Sequence, residues 1–62
     1  MKTTYTFTAF TYNRFNVKVP CFETSGTKKE CAKWWNYFLK QPYATEVAMR
    51  NESTGHIDHI IK

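Results

Sequence analysis

The chain has 62 residues, 18% of them aromatic, and a formal net charge of +4. This length predicts a single domain, residues 1–62, and is too short for an active-site cleft between subdomains. The excess of nine Lys and Arg over five Asp and Glu favours an anionic partner, either nucleic acid or an acidic protein surface, although solubility alone would also account for it.

The first predicted strand runs from Thr3 to Tyr12, where threonine alternates with aromatic residues, two classes that favour strands. Its more apolar face carries Tyr5, Phe7 and Ala9. The opposite face carries Thr4, Thr6, Thr8, Phe10 and Tyr12.

A turn at Asn13-Arg14 leads into a second predicted strand from Phe15 to Phe22, so the two strands form a hairpin. Proline cannot donate to a strand ladder, and Pro20 therefore predicts that this strand lies at a sheet edge or ends there. Residues 23–26 are predicted to form a short loop. One side of the second strand carries Phe15, Val17, Val19 and Cys21.

A helix is predicted from Thr27 to Gln41. Thr27 and Glu30 have the spacing of a capping box, and Pro42 cannot continue the helical ladder. At 100° per residue, one broad apolar face should be buried; it carries Cys31, Trp34, Trp35, Phe38 and Leu39, with Ala32 at its margin. The opposite, exposed side carries Lys29, Lys33 and Lys40 beside Asn36, with Tyr37 at the edge.

The remainder predicts a third strand from Tyr43 to Asn51 and a turn at residues 51–55. Residues 56–62 fit a strand or a helix, and the β-branched isoleucines after a turn favour a strand. The predicted fold is a two-layer α+β domain, β-β-α-β-β, with one helix across one face of a four-stranded sheet. This packing should bury the apolar sides of all five elements. Strand order stays open between 2-1-4-3, with a parallel central pair, and 2-1-3-4, entirely antiparallel.

The sequence predicts no enzyme, cofactor or metal site. Cys21, Cys31, His56 and His59 match the count of a Cys2His2 zinc site, but their spacing does not match that of zinc ligands. Neither cysteine lies in a nucleophile motif. Both are expected to be reduced and largely buried thiols, with a single disulfide as the open alternative.

Two surfaces are predicted to bind a partner. The first is a basic helix face with Lys29, Lys33, Tyr37 and Lys40, for which a merely solvated face is the alternative. The second is the sheet face away from the helix, where Phe10, Tyr12 and Phe22 should be partly exposed. The partner-binding candidates on this face are Phe10, Tyr12, Arg14 and Lys18.

These surfaces favour a binding module that engages a larger protein, as a monomer or weak homodimer. Binding of single-stranded DNA or RNA is the alternative, and a homo-oligomer built by edge-strand pairing is a third. The chain lacks an apolar run of signal-peptide or membrane-span length, so we expect a complete cytosolic reading frame. In size and lack of catalytic motifs it resembles short phage and mobile-element proteins, anti-CRISPR proteins among them; the resemblance implies an inhibitor of a host nucleic-acid-handling or defence complex.

Overall fold

The protein, described here by a computed structural model covering residues 3–62, is a single two-layer α+β domain. One helix packs on a four-stranded sheet of order β2-β1-β3-β4, in which every neighbouring pair is antiparallel. This confirms the predicted fold class and selects the entirely antiparallel order. The elements are β1 (Tyr5–Tyr12), β2 (Lys18–Gly26), α1 (Lys28–Leu39), β3 (Glu46–Asn51) and β4 (Ile57–Ile61).

A β-bulge in β2 changes which of its side chains face the helix. Phe10 lies opposite Pro20 and Ala9 lies opposite Phe22, so Cys21 is an extra residue without a counterpart on β1. Phe22 therefore turns towards the helix, and Cys21 is exposed. The prediction that Phe22 lies on the open face is wrong, because the bulge interrupts the strict alternation of side chains along β2.

The limits of β2 also differ from the prediction. The strand begins at Lys18 instead of Phe15, and it continues through residues 23–26, which were predicted as a loop. This continuation is possible because β1 supplies partners as far as Tyr5, opposite Gly26. As Pro20 predicted, β2 lies at a sheet edge.

The turn between β1 and β2 is fixed by hydrogen bonds to one side chain. Asn13 Oδ1 accepts from the backbone N–H of Phe15 at 2.9 Å and of Val17 at 3.1 Å. Asn16 has a φ of 62°, a left-handed conformation that asparagine tolerates. Phe15 and Val17 are therefore exposed loop residues, not strand residues as predicted.

Both ends of α1 are capped by side chains. The Thr27 hydroxyl accepts from the Glu30 N–H at 3.2 Å, as predicted, and donates to the Glu30 carboxylate at 3.3 Å. At the other end, the helix stops at Leu39, two residues before the predicted end. The Lys62 ammonium donates there to three backbone carbonyls, those of Phe38 at 3.1 Å, Leu39 at 3.1 Å and Gln41 at 2.6 Å.

The core is an aromatic cluster centred on Phe38, which is 5% exposed. Its ring lies 5.8 Å from Phe7 and 5.1 Å from Phe22, centroid to centroid. These contacts join the helix to β1 and β2. Within residues 3–62, the buried apolar residues are Phe7, Ala9, Cys31, Phe38, Ala44 and Val47.

The helix packs on β1, β2 and β3 and leaves β4 uncovered. All five residues of β4 are exposed, so the prediction that the helix buries the apolar side of every element is wrong for this strand. An open groove of about 500 Å³ separates α1 from β4, with Trp35, Met49 and Ile60 among its lining residues. Within residues 3–62, the structure has no helix with the length and apolar character to cross a membrane.

Phe38→Ala should lower the free energy of unfolding by about 3–5 kcal/mol, because it leaves a cavity at the centre of the aromatic cluster. Urea denaturation followed by tryptophan fluorescence measures the loss. Phe15→Ala is the matched control: its ring is 71% exposed, so its cost should stay within about 0.5 kcal/mol. Equal costs for the two variants would contradict the assignment of Phe38 to the core.

Lys62→Met should lower the free energy of unfolding by about 1 kcal/mol, because three carbonyls at the end of α1 lose a charged donor. Lys62→Arg keeps a cationic donor and should retain part of that stability. Thermal unfolding followed by circular dichroism compares the two variants. If they are equally stable, the ammonium does not act as a helix cap.

Candidate binding surfaces

The outer face of α1, together with the residue that follows its last turn, carries a row of exposed side chains that we call the basic stripe: Lys29, Lys33 and Tyr37 on the helix, and Lys40 at its C-cap. Their spacing of four, four and three residues places them on one side of the helix, over a length of about 16 Å. Among residues 3–62, the ion pairs that form involve other cations, and none of these three lysines takes part. The stripe therefore presents unneutralised positive charge.

Tyr37 is the aromatic member of the stripe and is 48% exposed. Its ring meets Trp34 edge-on at a centroid distance of 5.8 Å and Phe38 at 5.1 Å, with interplanar angles of 85° and 86°. Because two core rings fix its inner side, Tyr37 loses little side-chain freedom when its outer side is covered. It has the properties of a rigid aromatic anchor between lysines.

The second predicted surface, the open face of the sheet, is electrostatically different. The Lys18 ammonium lies 5.0 Å above the centre of the Phe10 ring and donates to Glu46 Oε1 at 2.9 Å. Glu46 is only 8% exposed, and its hydrogen bond with Lys18 raises the pKa of the Lys18 ammonium. Lys18 is thus already paired, and it covers the ring of Phe10, one of the predicted partner-binding residues.

A second cation of the open face is also paired. Arg50 donates to the Glu52 carboxylate through Nε at 2.7 Å and Nη2 at 3.4 Å. This hydrogen bonding holds the pKa of Glu52 below its usual value. Nearby, Thr8 donates to the Glu23 carboxylate at 3.4 Å, which adds negative charge to the same face. Among residues 3–62, the open face therefore lacks the positive surplus that phosphate binding requires.

A third surface, which we call the hairpin tip, consists of residues 12–17. Tyr12 is 50% exposed and Phe15 is 71% exposed. The Arg14 guanidinium lies 5.1 Å from the centre of the Phe15 ring, a cation-π distance. The sequence prediction included Tyr12 and Arg14 but missed Phe15 and Val17. The two asparagines that bracket Phe15, both turn formers, were the signal that it belongs to a loop.

The eight predicted partner-binding residues therefore do not form one surface. Four lie on the basic stripe, Phe10 and Lys18 on the open face, and Tyr12 and Arg14 at the hairpin tip. Phe22, which was expected to be exposed beside them, instead packs on Trp34 with ring centroids 4.7 Å apart.

The cysteines and histidines are not assembled into a site. Cys31 is buried, as predicted, whereas Cys21 is exposed at the bulge, contrary to the prediction; both are free thiols. Burial raises the pKa of the Cys31 thiol, which opposes formation of a nucleophilic thiolate. Across the described part of the chain, no three His, Cys, Asp or Glu side chains come close enough together to hold a metal ion.

No protein-family model, curated protein or solved structure matches this chain.

Arg50→Gln should raise the pKa of Glu52 towards its usual value, because the charged donor is lost. Carbon-detected NMR titration of the Glu52 carboxyl measures this shift, and Lys18→Met is the control that should leave Glu52 unchanged. The lowered pKa means that the Arg50 contact stabilises the fold above the ordinary glutamate pKa. Its contribution is lost as the pH falls through the lowered value. An unchanged Glu52 titration in Arg50→Gln would contradict the pairing.

Proposed function

We propose that the protein is a non-enzymatic binding module that docks the basic stripe of α1 on an acidic surface of a larger protein. The observation that carries this proposal is the division of charge between the two layers. Within residues 3–62, Lys18 and Arg50 on the open face are paired with carboxylates, whereas Lys29, Lys33 and Lys40 are not. Carboxylates on the partner would form ion pairs with these three lysines.

Tyr37 adds an aromatic anchor to the positive charge of the basic stripe. Interfaces draw most of their binding energy from a few aromatic and cationic anchors near their centre. Tyr37 lies between Lys33 and Lys40 with its inner edge fixed by Trp34 and Phe38. Lysines steer the encounter and a rigid ring retains the bound partner, a combination suited to a protein surface.

The finer form of the proposal is that the protein acts in the cytoplasm as an inhibitor of a host nucleic-acid-handling or defence complex. The two free cysteines suit a reducing compartment. A basic module of 62 residues would act by covering an acidic surface of such a complex, and it needs no catalytic group to do so.

Direct binding of single-stranded DNA or RNA is the second candidate, favoured by the hairpin tip. There the Phe15 ring lies beside the Arg14 cation, and the Tyr12 ring is also exposed. Stacking on aromatic rings next to cations is how such strands are bound without sequence preference. Against it, the paired charges of the open face leave little positive potential beside the tip.

Replacing Lys29, Lys33 and Lys40 together with Glu should abolish partner capture, because the stripe changes sign while the fold stays intact. The measurement is a pulldown of the tagged protein from host lysate, with and without nuclease, followed by mass spectrometry and an absorbance check for nucleic acid. The matched control replaces the same three lysines with Arg, which retains the charge and should retain capture.

The pulldown separates the two candidates. A stoichiometric protein that survives nuclease, remains with the Arg variant and is lost with the Glu variant supports the stripe as the docking surface. Capture that the Glu variant retains in full would mean that the stripe is only a solvated face. Recovery of nucleic acid alone, lost after nuclease and steeply reduced by salt, would favour the second candidate.

A further inference from the structure

The two edges of the sheet are unequally protected against pairing with another strand. On β2, Pro20 lacks an N–H and the bulge at Cys21 interrupts the ladder, two features that oppose strand addition. β4 has neither a proline nor a bulge along Ile57–Ile61. Three isoleucines on it are exposed: Ile57 at 53%, Ile60 at 42% and Ile61 at 68%.

The register of β3 and β4 determines which backbone groups of β4 are free. The Asn51 N–H donates to the His56 carbonyl at 2.8 Å, and the Lys62 N–H donates to the Thr45 carbonyl at 2.8 Å. These bonds show that the even-numbered residues between 56 and 62 direct their backbone N–H and C=O groups towards β3. Because antiparallel ladders alternate, the N–H and C=O groups of Ile57, His59 and Ile61 point away from β3. In the described chain, β4 pairs with β3 alone, so these groups form an edge that is not paired with another strand.

We propose that β4 pairs antiparallel with β4 of a second copy of this chain, on a twofold axis at His59. The free groups are symmetric about this residue, at positions 57, 59 and 61. His59 would pair with His59 of the second copy, and Ile57 with Ile61, so that every outward N–H meets an outward C=O. The product is a continuous antiparallel sheet of eight strands.

The side chains suit this symmetric pairing. Ile57, His59 and Ile61 lie on the open face, because they oppose Arg50, Ala48 and Glu46. In the pair, each exposed Ile57 would face Ile61 of the second copy, so both lose contact with water. On the helix face, Asp58 would oppose Ile60. Since α1 packs on β1, β2 and β3, the two helices stay apart and do not obstruct the contact.

His59→Pro tests the pairing because it removes an outward N–H without removing a hydrogen bond to β3. The control is His59→Thr, which loses the same imidazole but keeps the N–H. Sedimentation from about 10 μM to about 1 mM should show wild type and His59→Thr rising from the monomer towards a dimer. Because two backbone hydrogen bonds are lost at the axis, His59→Pro should raise the dissociation constant about thirtyfold.

A second pair of variants tests the register and does not depend on the folding of the proline variant. Ile57→Glu combined with Ile61→Lys places opposite charges across the contact and should keep the dimer. Ile57→Lys combined with Ile61→Lys places like charges there and should give only monomer. Circular dichroism checks that both variants remain folded.

Three results would overturn the proposal. A wild-type chain that stays monomeric up to about 1 mM has no such contact. A dimer that forms equally in both charge variants uses another surface. The chain could also stay monomeric and bind an extended peptide along β4, which amide shifts at Ile57, His59 and Ile61 would detect. That result would mean that the edge binds a peptide and not a second copy.

Discussion

The packing of Phe38 is the interaction on which the rest of this structure depends. In a chain of 62 residues, few side chains are available for a core, and Phe38 brings the helix into contact with rings from both layers. Phe7 and Phe22 come from the sheet, at 5.8 and 5.1 Å, while Tyr37 and Tyr43 meet its ring edge-on from the surface. The same cluster therefore holds the layers together and fixes Tyr37, the anchor of the proposed docking surface.

Because the cluster lies between α1 and the first two strands, the helix sits towards one side of the sheet. This position has two consequences. The basic stripe faces outwards, away from the carboxylates of the open face, which pair with Lys18 and Arg50 instead. At the far side, β4 is left without cover and exposes its isoleucines. The two proposed contacts, one with an acidic partner and one with a second copy, therefore lie on separate surfaces and do not compete.

The sequence was sufficient to predict elements whose signals are local. Alternation along β1, the Thr27 cap and the helical period of the apolar residues each act within a few positions, and all are present. The bulge at Cys21 and the direction of Phe22 depend on pairing with a strand elsewhere in the chain, which no local pattern reveals. The same holds for the surfaces. The exposed lysines of α1 follow from the helical period, whereas the neutralisation of Lys18 by Glu46 joins residues 28 positions apart.

The central claim is that the outer face of α1 is the surface that meets a partner. The most direct test is NMR of the isotope-labelled protein, alone and with the protein it captures, recording backbone amides and lysine side-chain signals. We expect the largest changes at Lys29, Lys33, Tyr37 and Lys40, with Thr6, Thr8 and Phe10 of the open face unaffected. Changes confined to the open face or the hairpin tip, with the stripe unchanged, would contradict it.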